Sequence, residues 1–182
     1  MIRSLVVVFA LVSLSAIASP ASSEDAASSA AARSKALGAS LTDFGLSSSS
    51  FKGEVWGVLM ETGLEGGGAF GLAVLIDGTA DVYFSKGGGV VGAGKNIQVQ
   101  RAAGAMLLLA SKMSPQANRT TETPMPRLDQ VTFYFLSKRG TLAYTAPVLE
   151  LREGKDQMSR LYYAGQQVLS AVSAAAPKAS VR

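Results

Sequence analysis

Between residues 51 and 173 the apolar positions follow two periods in turn, and the changes of period mark out the elements. Val55 to Thr62 carries Val, Trp, Val, Leu and Met with little polarity, the pattern of a strand covered on both faces. A loop with Gly63, Gly66, Gly67 and Gly68 leads to a second apolar run, Phe70 to Ile76. Asp77-Gly78 then forms a turn, since both residue types tolerate positive φ. From Asp81 to Ser85 the chain alternates, with Val82 and Phe84 on one side and Asp81, Tyr83 and Ser85 on the other. A three-stranded antiparallel meander is expected. Two further strands, Val131 to Leu136 and Leu142 to Ala146, flank Lys138-Arg139-Gly140, which reads as a solvated hairpin tip.

Helical spacing replaces alternation twice. Val99, Ala102, Ala103, Met106, Ala110 and Met113 follow a capping Asn96, and small residues, Gly104 among them, would let this helix lie close against a sheet. Met158, Leu161, Tyr162, Gly165, Val168, Leu169 and Val172 form a second stripe behind a capping Asp156. Tyr163 and Arg160 lie off that stripe and are contact candidates. The order β-β-β-α-β-β-α predicts an α+β fold, one antiparallel sheet of about five strands with two helices packed on the sheet.

Upstream the pattern dissolves. Residues 19–50 are mostly Ser and Ala, with too few large apolar side chains to offset the entropy of ordering, and read as a flexible leader with one weak helix near Ala26 to Leu37. Residues 174–182 read as a disordered tail, which leaves 51–173 as the single domain. At the N-terminus, Arg3, an apolar run from Leu5 to Leu14 and an Ala16-Ile17-Ala18 cleavage signal make residues 1–18 a secretory signal peptide. The run is shorter than the ~20 residues that cross a bilayer, so the cleaved chain is expected to be periplasmic or secreted and not integral to a membrane. The chain has no cysteine, which excludes a lipid-modified bacterial N-terminus and disulfides alike. Its net charge of +4 is modest, and the Lys and Arg residues are scattered rather than gathered into a stripe. Nucleic acid is therefore not an expected partner.

Candidate chemistry concentrates in one stretch. Gly89, Gly94 and Lys95 fit the spacing GxxxxGK, but Asn96 stands where a Ser or Thr hydroxyl should hold magnesium. Gly87, Gly89 and Gly92 fit GxGxxG without the acidic residue that would hold a ribose. Both motifs need a parallel sheet, so neither nucleotide nor cofactor is expected. A looser reading fits better. Successive backbone N–H groups in this loop, feeding a helix N-terminus, would form an anion-binding nest from Ser85, Lys86, Gly87, Gly88, Gly89, Gly94, Lys95 and Arg101. Against it stands the bland explanation that the glycines serve positive φ and close passage of the backbone. With no His and no Cys, the usual general base, the strongest nucleophile and the common transition-metal ligands are missing. Ser85 with a lysine of the loop is the one nucleophile-base pairing available. Asp77 and Asp81 are accounted for by turn chemistry and solvent exposure, and Glu61 and Glu65 likewise.

The residues Asp77-Gly78-Thr79, Tyr83-Phe84-Ser85, Gly87-Gly88-Gly89, Val90-Val91-Gly92-Ala93-Gly94 and Arg101-Ala102-Ala103 resemble a family of uncharacterised small bacterial proteins. Its members share a strand with Tyr-Phe-Ser, a triple-glycine loop and an alanine-rich helix, and a fainter likeness reaches Leu161 to Leu169. The resemblance implies no catalytic residues. Members mostly begin at the domain, so the leader is a departure from the family pattern. The expected function is an exported, non-enzymatic domain that binds a protein partner or a small anion through residues 85–95. The alternatives are a Ser/Lys hydrolase or transferase at Ser85, and an envelope-associated structural protein that pairs through a sheet edge.

Overall fold

The computed structural model describes residues 23–175; the expected signal peptide, 1–18, and residues 176–182 of the expected tail lie outside the described residues. The chain runs α1 (Ser23–Gly38), β1 (Val55–Gly63), β2 (Ala69–Leu75), β3 (Ala80–Phe84), β4 (Gly89–Val90), α2 (Ile97–Met113), β5 (Asn118–Arg119), β6 (Gln130–Ser137), β7 (Gly140–Pro147), α3 (Val148–Arg152) and α4 (Ser159–Ala175). The fold is α+β, and the strands pair antiparallel in the order β4-β3-β2-β1-β6-β7-β5. Seven strands and four α-helices stand among the described residues, against the five and two expected. Both additional strands are two-residue edges. The glycine loop folds back so that Gly89 pairs with Tyr83, and Asn118–Arg119 pairs with Ala143 and Leu142. Of the additional helices, α3 follows directly from Pro147, and α1 covers the weak helix expected in the leader.

The strand alternation sorts side chains between two unlike faces. Val58, Met60, Leu72, Val74, Phe133 and Phe135 enter the main core, which α2 and α4 close with Val99, Ala103, Met106, Leu161 and Val168. On the other face Leu59, Ala73, Tyr83 and Tyr134 form a smaller cluster covered by Ala36 of α1. The nearly unbroken apolar run of β1 is explained by this two-sided cover.

Capping follows the sequence. The Asn96 side chain accepts from the backbone N–H groups of Gln98 (2.8 Å) and Val99 (3.4 Å). Asp156 accepts from the Met158 N–H at 2.7 Å and from the Tyr144 hydroxyl at 2.9 Å. Close helix–sheet approach, however, does not occur at Gly104, which faces open space. It occurs at Gly165 of α4, where a Cβ would lie 2.6 Å from the Met60 sulfur. The hairpin tip differs too. Lys138 Nζ donates to the Phe51 carbonyl at 2.7 Å and Arg139 reaches Glu54 and the Ser114 carbonyl, so the tip clamps the entry to β1. Tyr163 donates its hydroxyl to the Arg152 carbonyl at 2.7 Å.

Candidate functional site

The glycine loop leaves β3 at Ser85, whose hydroxyl accepts from the Ala69 N–H (2.8 Å) and whose own N–H donates to the Ala69 carbonyl (2.8 Å). The Lys86 ammonium donates to the Gly66 carbonyl at 2.7 Å. The next groups close a turn back onto β3: Gly87 N–H donates to the Phe84 carbonyl, and Phe84 N–H to the Gly88 carbonyl. At Gly89 a Cβ would lie 2.2 Å from the Val82 carbonyl oxygen, so only glycine fits this pairing. Gly94 meets a similar limit, 1.8 Å from the Gly78 carbonyl oxygen, where the loop crosses the Asp77-Gly78 turn. Lys95 and Arg101 are exposed and enter no ion pair among the described residues.

Several of the donors that a nest would aim at an anion have internal partners. Gly92 N–H donates to the Asp81 carboxylate at 2.8 Å, which also corrects the expectation that Asp81 is merely solvated. Lys95 N–H is directed at Gly92 O, Asn96 N–H at Ala93 O, and the first free N–H groups of α2 at the Asn96 side chain. The loop and the start of α2 also turn apolar side chains outward. Val91 is 73% exposed, Ile97 55% and Val90 37%.

The second constellation lies on the outer face of the sheet and centres on Glu61. Its side chain is fully buried, which overturns the expectation of a solvated loop-edge residue. The register builds the site. Glu61 sits opposite Gly71 on one side and Thr132 on the other, and Gly71 sits opposite Tyr83. Because Gly71 has no side chain, the Tyr83 ring lies across β2; a Cβ there would be 2.2 Å from the ring carbon that bears the hydroxyl. The Tyr83 hydroxyl thereby reaches Glu61 Oε1 and donates to it at 2.5 Å.

The remaining partner arrives from above. Arg33 of α1 donates its Nε to Glu61 Oε1 at 2.6 Å and an Nη2 hydrogen to Oε2 at 2.8 Å, a bidentate fork. Nη2 also donates to the Thr123 carbonyl at 2.8 Å, and Tyr134 donates to the adjacent Pro124 carbonyl at 2.6 Å. The Glu61 carboxylate raises the Arg33 guanidinium above its ordinary value, chiefly through their hydrogen bonds. Burial, reinforced by the negative charge of Glu61, raises the phenols of Tyr83 and Tyr134. A guanidinium and two neutral phenols are therefore the forms held near neutral pH.

Sequence reasoning treated Glu61 as solvated and passed over Arg33, a lone charge in the Ser/Ala-rich leader. A signal was present: Glu61 shares the side of Leu59 in a strand covered on both faces, and a carboxylate there requires a cationic partner. A shallow, open groove of about 330 Å³ lies beside this cluster, lined in part by Pro124, Met125, Thr132, Tyr134 and Thr145. Among the described residues no group of three or more His, Cys, Asp or Glu is placed to hold a metal ion, and no helix is long and apolar enough to cross a membrane. No protein family, curated protein or solved structure matches the chain.

Proposed function

We propose that this chain is an exported, non-enzymatic binding domain that contacts a protein partner through the glycine loop 85–95 and the first turn of α2. One observation carries the reading. The Ser85 hydroxyl, the Lys86 ammonium and the N–H groups of Gly87, Gly92, Lys95 and Asn96 bond within the protein, whereas Val91 and Ile97 are more than half exposed. A small anion would need free N–H donors, while a protein surface would cover apolar side chains. Lys95 and Arg101 then supply charge at the rim of the contact. The Ser85 hydroxyl engages the Ala69 backbone and the Lys86 ammonium engages Gly66, which leaves the hydrolase alternative without a supporting observation. Edge pairing is likewise unsupported, because both edges of the sheet are strands of only two residues.

The test places a photo-crosslinking residue at Val91, at Ile97 and, as a control, at the exposed Gln167 of α4, in the exported chain in its own cells. The reading expects one adduct of the same size from the first two positions, absent at Gln167 and abolished by Lys95→Glu combined with Arg101→Glu. Adducts indifferent to position, or none at all, would overturn it.

A further inference from the structure

The acceptors around Arg33 form a set that suits one chemical group. Both Glu61 oxygens and the Thr123 carbonyl lie within 2.8 Å of guanidinium nitrogens, and the Tyr83 hydroxyl completes the carboxylate from the other side. A planar fork satisfies the two carboxylate oxygens and the carbonyl together, whereas an ammonium offers a single nitrogen. The site belongs mainly to the sheet: Glu61 comes from β1, Tyr83 from β3, and the main core on the opposite face is built without α1.

Among its described residues, the helix that delivers the guanidinium has few other anchors. Of its described residues Ala36 and Ser29 are buried and Leu37 is half-buried, and Ser29 contributes one hydrogen bond to the Gly88 carbonyl at 3.2 Å. Ala36 is small, so the apolar area covered by the described side chains of α1 is modest, and among them the Arg33 ion pair is the main polar attachment; just beyond the helix the Trp56 indole N–H donates to the Ala39 carbonyl at 2.9 Å and Leu41 is buried. Residues 39–54 join it to β1 and include the serine run Ser47 to Ser50. A competitor that brings its own guanidinium could take the place of Arg33 without leaving Glu61 buried and unpaired. A competitor lacking one would face the cost of an uncompensated buried charge.

We propose that Glu61, Tyr83 and the Thr123 carbonyl form a guanidinium-binding site on the outer face of the sheet, filled at rest by Arg33 as an internal ligand and open to exchange for the guanidinium of another molecule. This site is separate from the contact surface of the glycine loop and stands or falls independently of it.

The experiment uses the whole exported chain with Arg33→Ala, and thermal unfolding in millimolar ethylguanidinium against equal ethylammonium. Ethylguanidinium should restore most of the melting temperature that Arg33→Ala loses, saturably, and ethylammonium should not. Should Arg33→Ala fail to fold, Arg33→Lys keeps the charge without the fork and should show the same selectivity. Exchange itself is read on the unaltered chain by limited proteolysis within residues 39–54. A synthetic peptide of residues 23–38 should accelerate cleavage saturably, and its Arg33→Lys version should not. Acceleration by ethylguanidinium alone would assign the site to small guanidinium compounds; acceleration by the peptide would assign it to arginine on a polypeptide. Equal responses to ethylguanidinium and ethylammonium, or no acceleration by either probe, would overturn the proposal.

Discussion

Gly71 is the position at which the geometry of the outer face makes its sharpest demand. In Gly71→Ala the new Cβ would stand 2.2, 2.5 and 2.6 Å from three atoms of the Tyr83 phenol, its hydroxyl oxygen included, so the ring must move. Moving it breaks the hydrogen bond to the buried Glu61 carboxylate, worth about 1.5–3 kcal/mol for a charged acceptor. Crowding in a packed region adds about 1–3 kcal/mol, and the better strand propensity of Ala returns about 0.5–1 kcal/mol. The expected net loss is about 2–5 kcal/mol, the sum of these terms. In a Tyr83→Val background the obstruction is gone, and Gly71→Ala should stabilise by about 0.5–1 kcal/mol. The sign of the same substitution thus reverses with its cross-strand neighbour. Urea unfolding followed through Trp56, the only tryptophan, measures all four members of the cycle. If Gly71→Ala costs the same in both backgrounds, or stays within about 0.5 kcal/mol of the parent as a surface change would, the account of Tyr83 lying across β2 is wrong.

Alkaline conditions should weaken the fold through the tyrosines. The phenols of Tyr83 and Tyr134 are raised by burial and by Glu61, so the native state keeps protons that the unfolded chain releases near pH 10, and stability is intact below that pH and falls above it. Urea midpoints taken from pH 8 to 11 should fall more steeply for the parent than for Tyr83→Phe; parallel slopes would refute the linkage. Two glycines should respond oppositely to alanine. Gly94→Ala drives a Cβ into the Gly78 carbonyl and should lower stability by about 1–3 kcal/mol, whereas Gly104→Ala, in a helix interior facing open space, should raise it by about 0.5–1 kcal/mol. Thermal denaturation of the two single variants decides this, and a stabilising Gly94→Ala would contradict the loop packing.

The legible parts of the fold are those set by short-range periodicity. Continuous apolar runs and alternation together located the five long strands, and the caps at Asn96 and Asp156 were readable because a cap depends on residues two or three positions away. The short edge strands were hidden, since Gly89–Val90 and Asn118–Arg119 carry no alternating pattern and exist only through the strands they border. The glycine loop was legible as a special backbone but not as a closed one. Glycine composition shows where positive φ is allowed and not that Asp81 and Asn96 take up the donors. Glu61 was hidden for a different reason. Its partner lies 28 residues upstream, in a Ser/Ala segment whose local propensity is indifferent, and only the three-dimensional cover of the second face brings them together.

That cover links segments that are remote along the chain. From one helix, Ser29 reaches the Gly88 carbonyl of the glycine loop, and Arg33 reaches both Glu61 at the centre of the sheet and the Thr123 carbonyl of the proline-bearing connection. Ser29 and Arg33 are four residues apart, about one turn of helix, so α1 moving as a rigid body cannot withdraw Arg33 and keep Ser29 on Gly88. Exchange at Glu61 would therefore release the Gly88 carbonyl at the same moment. The surface that carries Val91 and the site that holds Arg33 are chemically distinct, and α1 touches both neighbourhoods, through Ser29 at Gly88 and through Arg33 at Glu61.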